Sequence, residues 1–165
     1  MSDSDLPDDE LKSLDKFAHA CMIYLLIVGL ASFFSGAFVL GITDISPLVA
    51  PALIGFSGSS IAALTSCLDR YAVGFERENG TPFPVEAKSG EGKFTRRFAY
   101  WLLARPFLGA VVAPVFIWGL SFFATDPKVF LAPGESLGFT AFMSGLLAKS
   151  ALDLVKNLFK NVFKA

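Results

Sequence analysis

Charge is scarce in this sequence, and so are the side chains from which most enzymes build a site. Only 18% of its residues are charged, against about 25% in a soluble domain. The net charge is −1, which gives no general attraction to nucleic acid. There is one histidine, His19, and there are two cysteines, Cys21 and Cys67. The cysteines do not form a C-x-x-C pair, so neither a zinc motif nor a dithiol redox motif is encoded. One histidine cannot build a zinc site. Ser89-Gly90-Glu91-Gly92 lacks the lysine and the strand–loop–helix setting of a phosphate loop. No paired carboxylates fall inside the apolar runs, which weighs against a proton-coupled transporter. A protein without catalytic residues, cofactor or metal is expected.

What is present is apolar. Hydrophobic residues make up 53% of the 165 residues, and the mean hydropathy is +0.56. Four segments meet the length of roughly 20 apolar residues that a membrane-crossing helix requires. They are residues 17–41, 46–68, 98–124 and 136–155, and the last carries Lys149 and Asp153. In hydrocarbon a backbone must satisfy its own hydrogen bonds, so each segment is expected to be helical. The expected fold is an all-α membrane protein with four transmembrane helices in two antiparallel hairpins.

The polar segments complete the plan. Residues 1–16 form an acidic tail with Asp3, Asp5, Asp8, Asp9, Glu10 and Asp15. A secretory signal needs a basic start and a shorter apolar core, so the first apolar run reads as a retained anchor. Residues 69–97 form a polar loop with an Asn79-Gly80 turn signal, Pro82 and Pro84. Residues 156–165 continue a helical pattern in which Leu158, Phe159, Val162 and Phe163 oppose Lys156, Lys160 and Lys164. That spacing predicts a basic amphipathic helix. Its lysines suit the anionic surface of an inner leaflet, at about 1 kcal/mol each.

Orientation follows from the basic residues. Of the fourteen, twelve fall in the N-terminal tail, the 69–97 loop and the C-terminal end. Lys128 alone lies on the other side, and Arg105 lies within the third segment. Both termini and the central loop are therefore expected in the cytoplasm, in a bacterial cytoplasmic (inner) membrane. Trp101 and Trp118 stand seventeen residues apart, about 26 Å along a helix. That separation fits two aromatic belts.

Two constellations stand out. Small residues four apart permit close helix packing in lipid. Gly55, Ser59 and Ser66 mark such a face on the second segment, Gly109 on the third and Gly145 on the fourth. The same face, rich in serine, could instead line a water path. The second constellation is Arg105, Lys149 and Asp153, which antiparallel third and fourth helices would bring to similar depth. Charges within spans are costly and are functional candidates, so Asp153 is expected to pair with Arg105, Lys149 or both. Pro106 directly follows Arg105 and would loosen the helix there.

One short string invites a catalytic reading. Gly55-Phe56-Ser57-Gly58 matches the G-x-S-G of rhomboid-type intramembrane proteases. Such a serine needs a base, and His19, near the start of the first segment, does not share the depth of Ser57 near the middle of the second. The match is rejected. The expected function is an oligomeric channel or membrane effector, closed at rest. The alternative is a non-catalytic accessory or scaffold subunit that recruits a partner through residues 69–97. The expected partners are the lipid bilayer and further copies of the chain.

Overall fold

The computed structural model describes residues 8–41, 48–75, 93–123, 135–150 and 153. Their regular structure is helical: α1 (Asp8–Leu40), α2 (Val49–Val73), α3 (Arg96–Phe123) and α4 (Glu135–Leu146). A single parallel bridge joins Phe75 to Phe94. Three helices are long and apolar enough to cross a membrane, namely α1, α2 and the Arg96–Leu120 part of α3. The apolar stretch Ser136–Leu146 of α4 is shorter. Those eleven residues rise about 16 Å, against a hydrocarbon core of about 30 Å. Helical bonding runs on past its end, since Leu147 N donates to the Met143 carbonyl at 3.0 Å and residues 148–150 are helical. The amphipathic segment with Lys156, Lys160 and Lys164 lies outside the described residues, as do residues 76–92 of the central loop.

The distribution of polarity is inverted relative to a soluble protein. Phe34, Phe38, Phe107, Val111 and Phe139 are all at least 60% exposed. Ser57, Ser59, Ser60 and Arg105 are buried. A soluble protein rarely exposes a wide apolar surface. Lipid covers such a surface at no cost, and the polar groups then belong inside. This pattern supports integration in a membrane independently of helix length.

Helix α2 is the centre of the bundle, packed on α1, α3 and α4. Its buried positions run almost all round it, from Ala50 and Pro51 to Ala63 and Cys67. Helix α1 buries one stripe only, Leu14, Ala18, Cys21, Leu25, Gly29 and Gly36. These recur at three- or four-residue steps, apart from the last gap of seven. Cys21 and Cys67 sit together in a cluster with Ala18, Leu25, Ala63 and Leu102.

Helix ends are set by local chemistry. Helix α1 starts nine residues before the apolar run, inside the expected acidic tail. Asp8, Asp9 and Glu10 occupy its first turn, where the positive end of the helix dipole favours them. Leu14 is buried there, and Tyr71 donates to Asp15 Oδ1 at 2.8 Å. Pro51 sits in the first turn of α2, where its missing N–H is no loss. Gly74 ends α2 with φ 113° and ψ −170°, a conformation that L side chains rarely adopt. Its N–H caps the Arg70 and Tyr71 carbonyls, and its own carbonyl accepts from Phe94 N at 2.8 Å. Thr95 Oγ1 accepts from Phe98 N at 3.2 Å and so caps α3. Pro106 and Pro114 lie inside α3, which continues through both.

An aromatic clasp closes this end of the bundle. Phe94 is fully buried and packs edge-to-face on Phe75 and Phe98, while Phe75 packs on Tyr71. The Arg70 guanidinium lies 3.8 Å above the Phe98 ring. The end of α2 and the start of α3 are thus joined at a junction built on Gly74. Gly74→Ala should cost about 1–3 kcal/mol of stability, read from unfolding in detergent micelles.

Candidate functional site

The small residues singled out on three helices meet at one place. A methyl group added at Gly145 of α4 would strike the Gly55 carbonyl oxygen of α2. One added at Gly109 of α3 would strike that same oxygen and Ser59 Cβ. One added at Gly55 would meet Ala113 Cβ and would stand 2.6 Å from the Gly109 carbonyl oxygen. The glycine hydrogens that replace these methyl groups therefore point at a carbonyl, the arrangement of a Cα–H···O contact. Gly58 extends the seam. A Cβ there would collide with the Phe142 carbonyl and stand 3.0 Å from Leu146 N. At these glycines the three helices are in backbone contact.

Three serines on α2 are hydrogen-bonded. Ser59 Oγ donates to the Arg105 carbonyl at 2.8 Å. Ser60 donates to Phe56 O at 2.9 Å and Ser66 to Ala62 O at 2.9 Å. Such bonds back to the helix make hydroxyls tolerable in hydrocarbon. On α4, Ser144 donates to Thr140 O at 2.7 Å.

Arg105 is held at the next level of this seam. Its side chain reaches from α3 to α2, where Nη1 donates to Ala62 O at 3.0 Å and to Ser66 Oγ at 2.8 Å. Ser66 accepts from the arginine while donating to the same Ala62 carbonyl, so the three groups close a ring. The residue is 8% exposed, and its Nε is buried without a hydrogen-bond partner. Pro106 beside it is also buried.

The partners of this charge differ from those expected. Lys149 and Asp153 are exposed, and among the described residues neither forms an ion pair with Arg105 or with the other. Asp153 lies close enough to act on Arg105 electrostatically, at a range longer than a salt bridge. The carbonyl and hydroxyl of α2 take the place of a carboxylate. The sequence offered no sign of the Ala62 carbonyl, because any residue carries one. Gly58 could have been read from its position three residues after Gly55.

Other polar groups lie at the Asp15 end. His19 Nδ1 is 2.9 Å from the Asp15 carbonyl and 3.5 Å from its carboxylate, and the imidazole stands edge-on to Tyr71. Among the described residues no three His, Cys, Asp or Glu side chains converge as a metal site would need. The chain matches no protein-family model, no curated protein and no solved structure.

The ring around Arg105 makes a quantitative prediction. Ser66→Ala removes one of its two acceptors and should cost about 1–3 kcal/mol. Arg105→Met replaces the buried charge with an apolar chain and should be neutral or stabilising. In the double variant the cost of Ser66→Ala should largely vanish. Unfolding free energies of the four proteins in one detergent give the coupling directly.

Proposed function

We propose that the chain is a four-span, non-catalytic scaffold or accessory subunit of a bacterial cytoplasmic membrane, with both termini in the cytoplasm. The observation that carries this reading is the use of the polar residues. The glycines and serines that could have lined a path are engaged between α2, α3 and α4. The surface left to lipid and to other proteins is phenylalanine, isoleucine, leucine and valine. A rigid apolar bundle with polar ends suits a membrane-embedded platform.

Helix α4 and its continuation through 148–150 supply the fourth span, packed through the glycine seam that joins it to α2 and α3. The basic residues set the orientation, with α1 and α3 starting on the inner side. The exposed apolar faces of α1 and α3 suit contact with further copies of the chain. A soluble partner would meet the polar end between α2 and α3.

A second reading has one specific observation in its favour. Arg105 keeps an unsatisfied Nε in a buried place, with Asp153 near but not bonded. A charge held in this way could be released when helices part, which suits a channel or membrane effector closed at rest.

Ion flux across liposomes containing the purified chain separates the two readings. The scaffold reading predicts no flux from wild type or from Arg105→Ala. Flux whose ion preference changes in Arg105→Ala would establish the channel reading.

A further inference from the structure

A shallow groove of about 370 Å³ lies between the N-terminal ends of α1 and α3, lined by Ser13, Lys16, Phe17, Ala20, Arg96 and Tyr100. Its volume falls within the roughly 300–1,000 Å³ of small-molecule sites. The lining is graded along the helix axes. Arg96 Nη2 donates to Ser13 Oγ at 3.0 Å, and Lys16 stands one turn further in. Phe17 and Tyr100 pack edge-to-face with centroids 5.9 Å apart and form the middle of the wall. Ala20 closes the apolar end.

Two features give the groove a chemistry. The first is charge. Among the described residues neither Lys16 nor Arg96 forms an ion pair. The acid next to Lys16, Asp15, is turned away to Tyr71 and His19. Two cations and a phenol therefore face one small space. The second feature is continuity with the apolar belt. On α1 the groove face continues at helical spacing into Tyr24 and Ile27, and on α3 into Ala104, Phe107 and Val111. All five are exposed, Ile27 and Phe107 each to 60%. A polar, cationic head site thus opens onto two apolar rails that run toward the bilayer centre.

We infer that this groove binds the phosphodiester headgroup of an anionic phospholipid, with its acyl chains lying along the exposed faces of α1 and α3. The inference rests on the membrane placement proposed above, which puts Lys16 and Arg96 at the inner headgroup level. The basic side chains meet the phosphate by charge-assisted hydrogen bonds. Arginine supplies a planar fork and lysine a point charge. Tyr100 sits where interfacial tyrosines gather, with its ring in the acyl region and its hydroxyl among headgroups. A free phosphate ion would use the same two cations but would gain nothing from the rails.

The test is native mass spectrometry of the full chain in detergent, with phosphatidylglycerol and phosphatidylcholine of identical acyl chains in equal amount. Parallel arms offer inorganic phosphate and glycerol 3-phosphate. The expected result is retention of phosphatidylglycerol over phosphatidylcholine, with neither soluble phosphate retained. The Lys16→Gln/Arg96→Gln variant should lose the preference by about thirtyfold, from about 1 kcal/mol for each of the two basic residues. Both side chains are exposed, and a circular dichroism melt verifies the fold. Lys16→Arg/Arg96→Lys, which keeps both charges, should retain most of the preference. Equal binding of the two lipids, an undiminished preference in the glutamine variant, or equal retention of inorganic phosphate would each overturn the inference. Resistance to carbonate extraction reads the membrane placement separately. A chain that stays embedded but shows no lipid preference therefore refutes the groove alone.

Discussion

Everything in this bundle depends on how closely α2 can approach its neighbours. The Gly55 carbonyl oxygen is reached by the backbones of Gly109 and Gly145, from two different helices. Within a membrane there is little hydrophobic force between helices, because lipid tails are as apolar as leucine. Close packing and weak polar contacts must hold the helices instead. Dispersion falls off steeply with distance, so a seam of glycines gives contacts that larger residues cannot. The same approach puts Ser59 within hydrogen-bond reach of the Arg105 carbonyl, tying side chain to backbone across the interface.

The buried arginine follows from that geometry. Arg105 stands one turn before Gly109 on α3, and Ser66 stands two turns after Ser59 on α2. Once the glycines set the distance between the axes, the guanidinium reaches the Ala62 carbonyl and Ser66 without a carboxylate. A neutral acceptor pair stabilises a cation less than an ion pair does, and one nitrogen stays unsatisfied. The side chain is therefore a weak source of stability, and its two hydrogen bonds tie α3 to one level of α2. At the opposite extreme, the cations Lys16 on α1 and Arg96 on α3 are exposed. The two kinds of basic residue are separated by whether α2 stands behind them.

The sequence was informative where a single number governs structure. Runs of about 20 apolar residues point to spanning helices, and three described helices have that length and composition. The small residues Gly55, Ser59, Gly109 and Gly145 were legible because four-residue spacing places them on one face of each helix. Their convergence on one carbonyl was not, since it depends on three crossing geometries that no single helix encodes. The start of α1 at Asp8 was missed because its acidic residues looked like a solvated tail. Their position at the positive end of a helix dipole, with Leu14 buried below, makes them the first turns of a helix. The expected pairing of Asp153 with Arg105 rested on depth alone. Depth does not say which helix face a side chain occupies, and Arg105 faces α2. The fourth helix is the shortest of the set, and its polar end, with Lys149 and Asp153, is where apolar length stops being a guide.

The most direct test of the glycine seam compares two alanine substitutions at equal chemistry. Gly145→Ala places a methyl group against the Gly55 carbonyl, whereas a methyl group at Gly119 meets nothing within 4 Å. Unfolding free energy in the same detergent or bilayer is the measurement. The seam predicts a loss of about 1–3 kcal/mol for Gly145→Ala, from overpacking. It predicts no loss for Gly119→Ala, or a gain of up to about 1 kcal/mol from helix propensity. Equal stability of the two variants would contradict the claim that backbone contact at Gly55 organises the bundle.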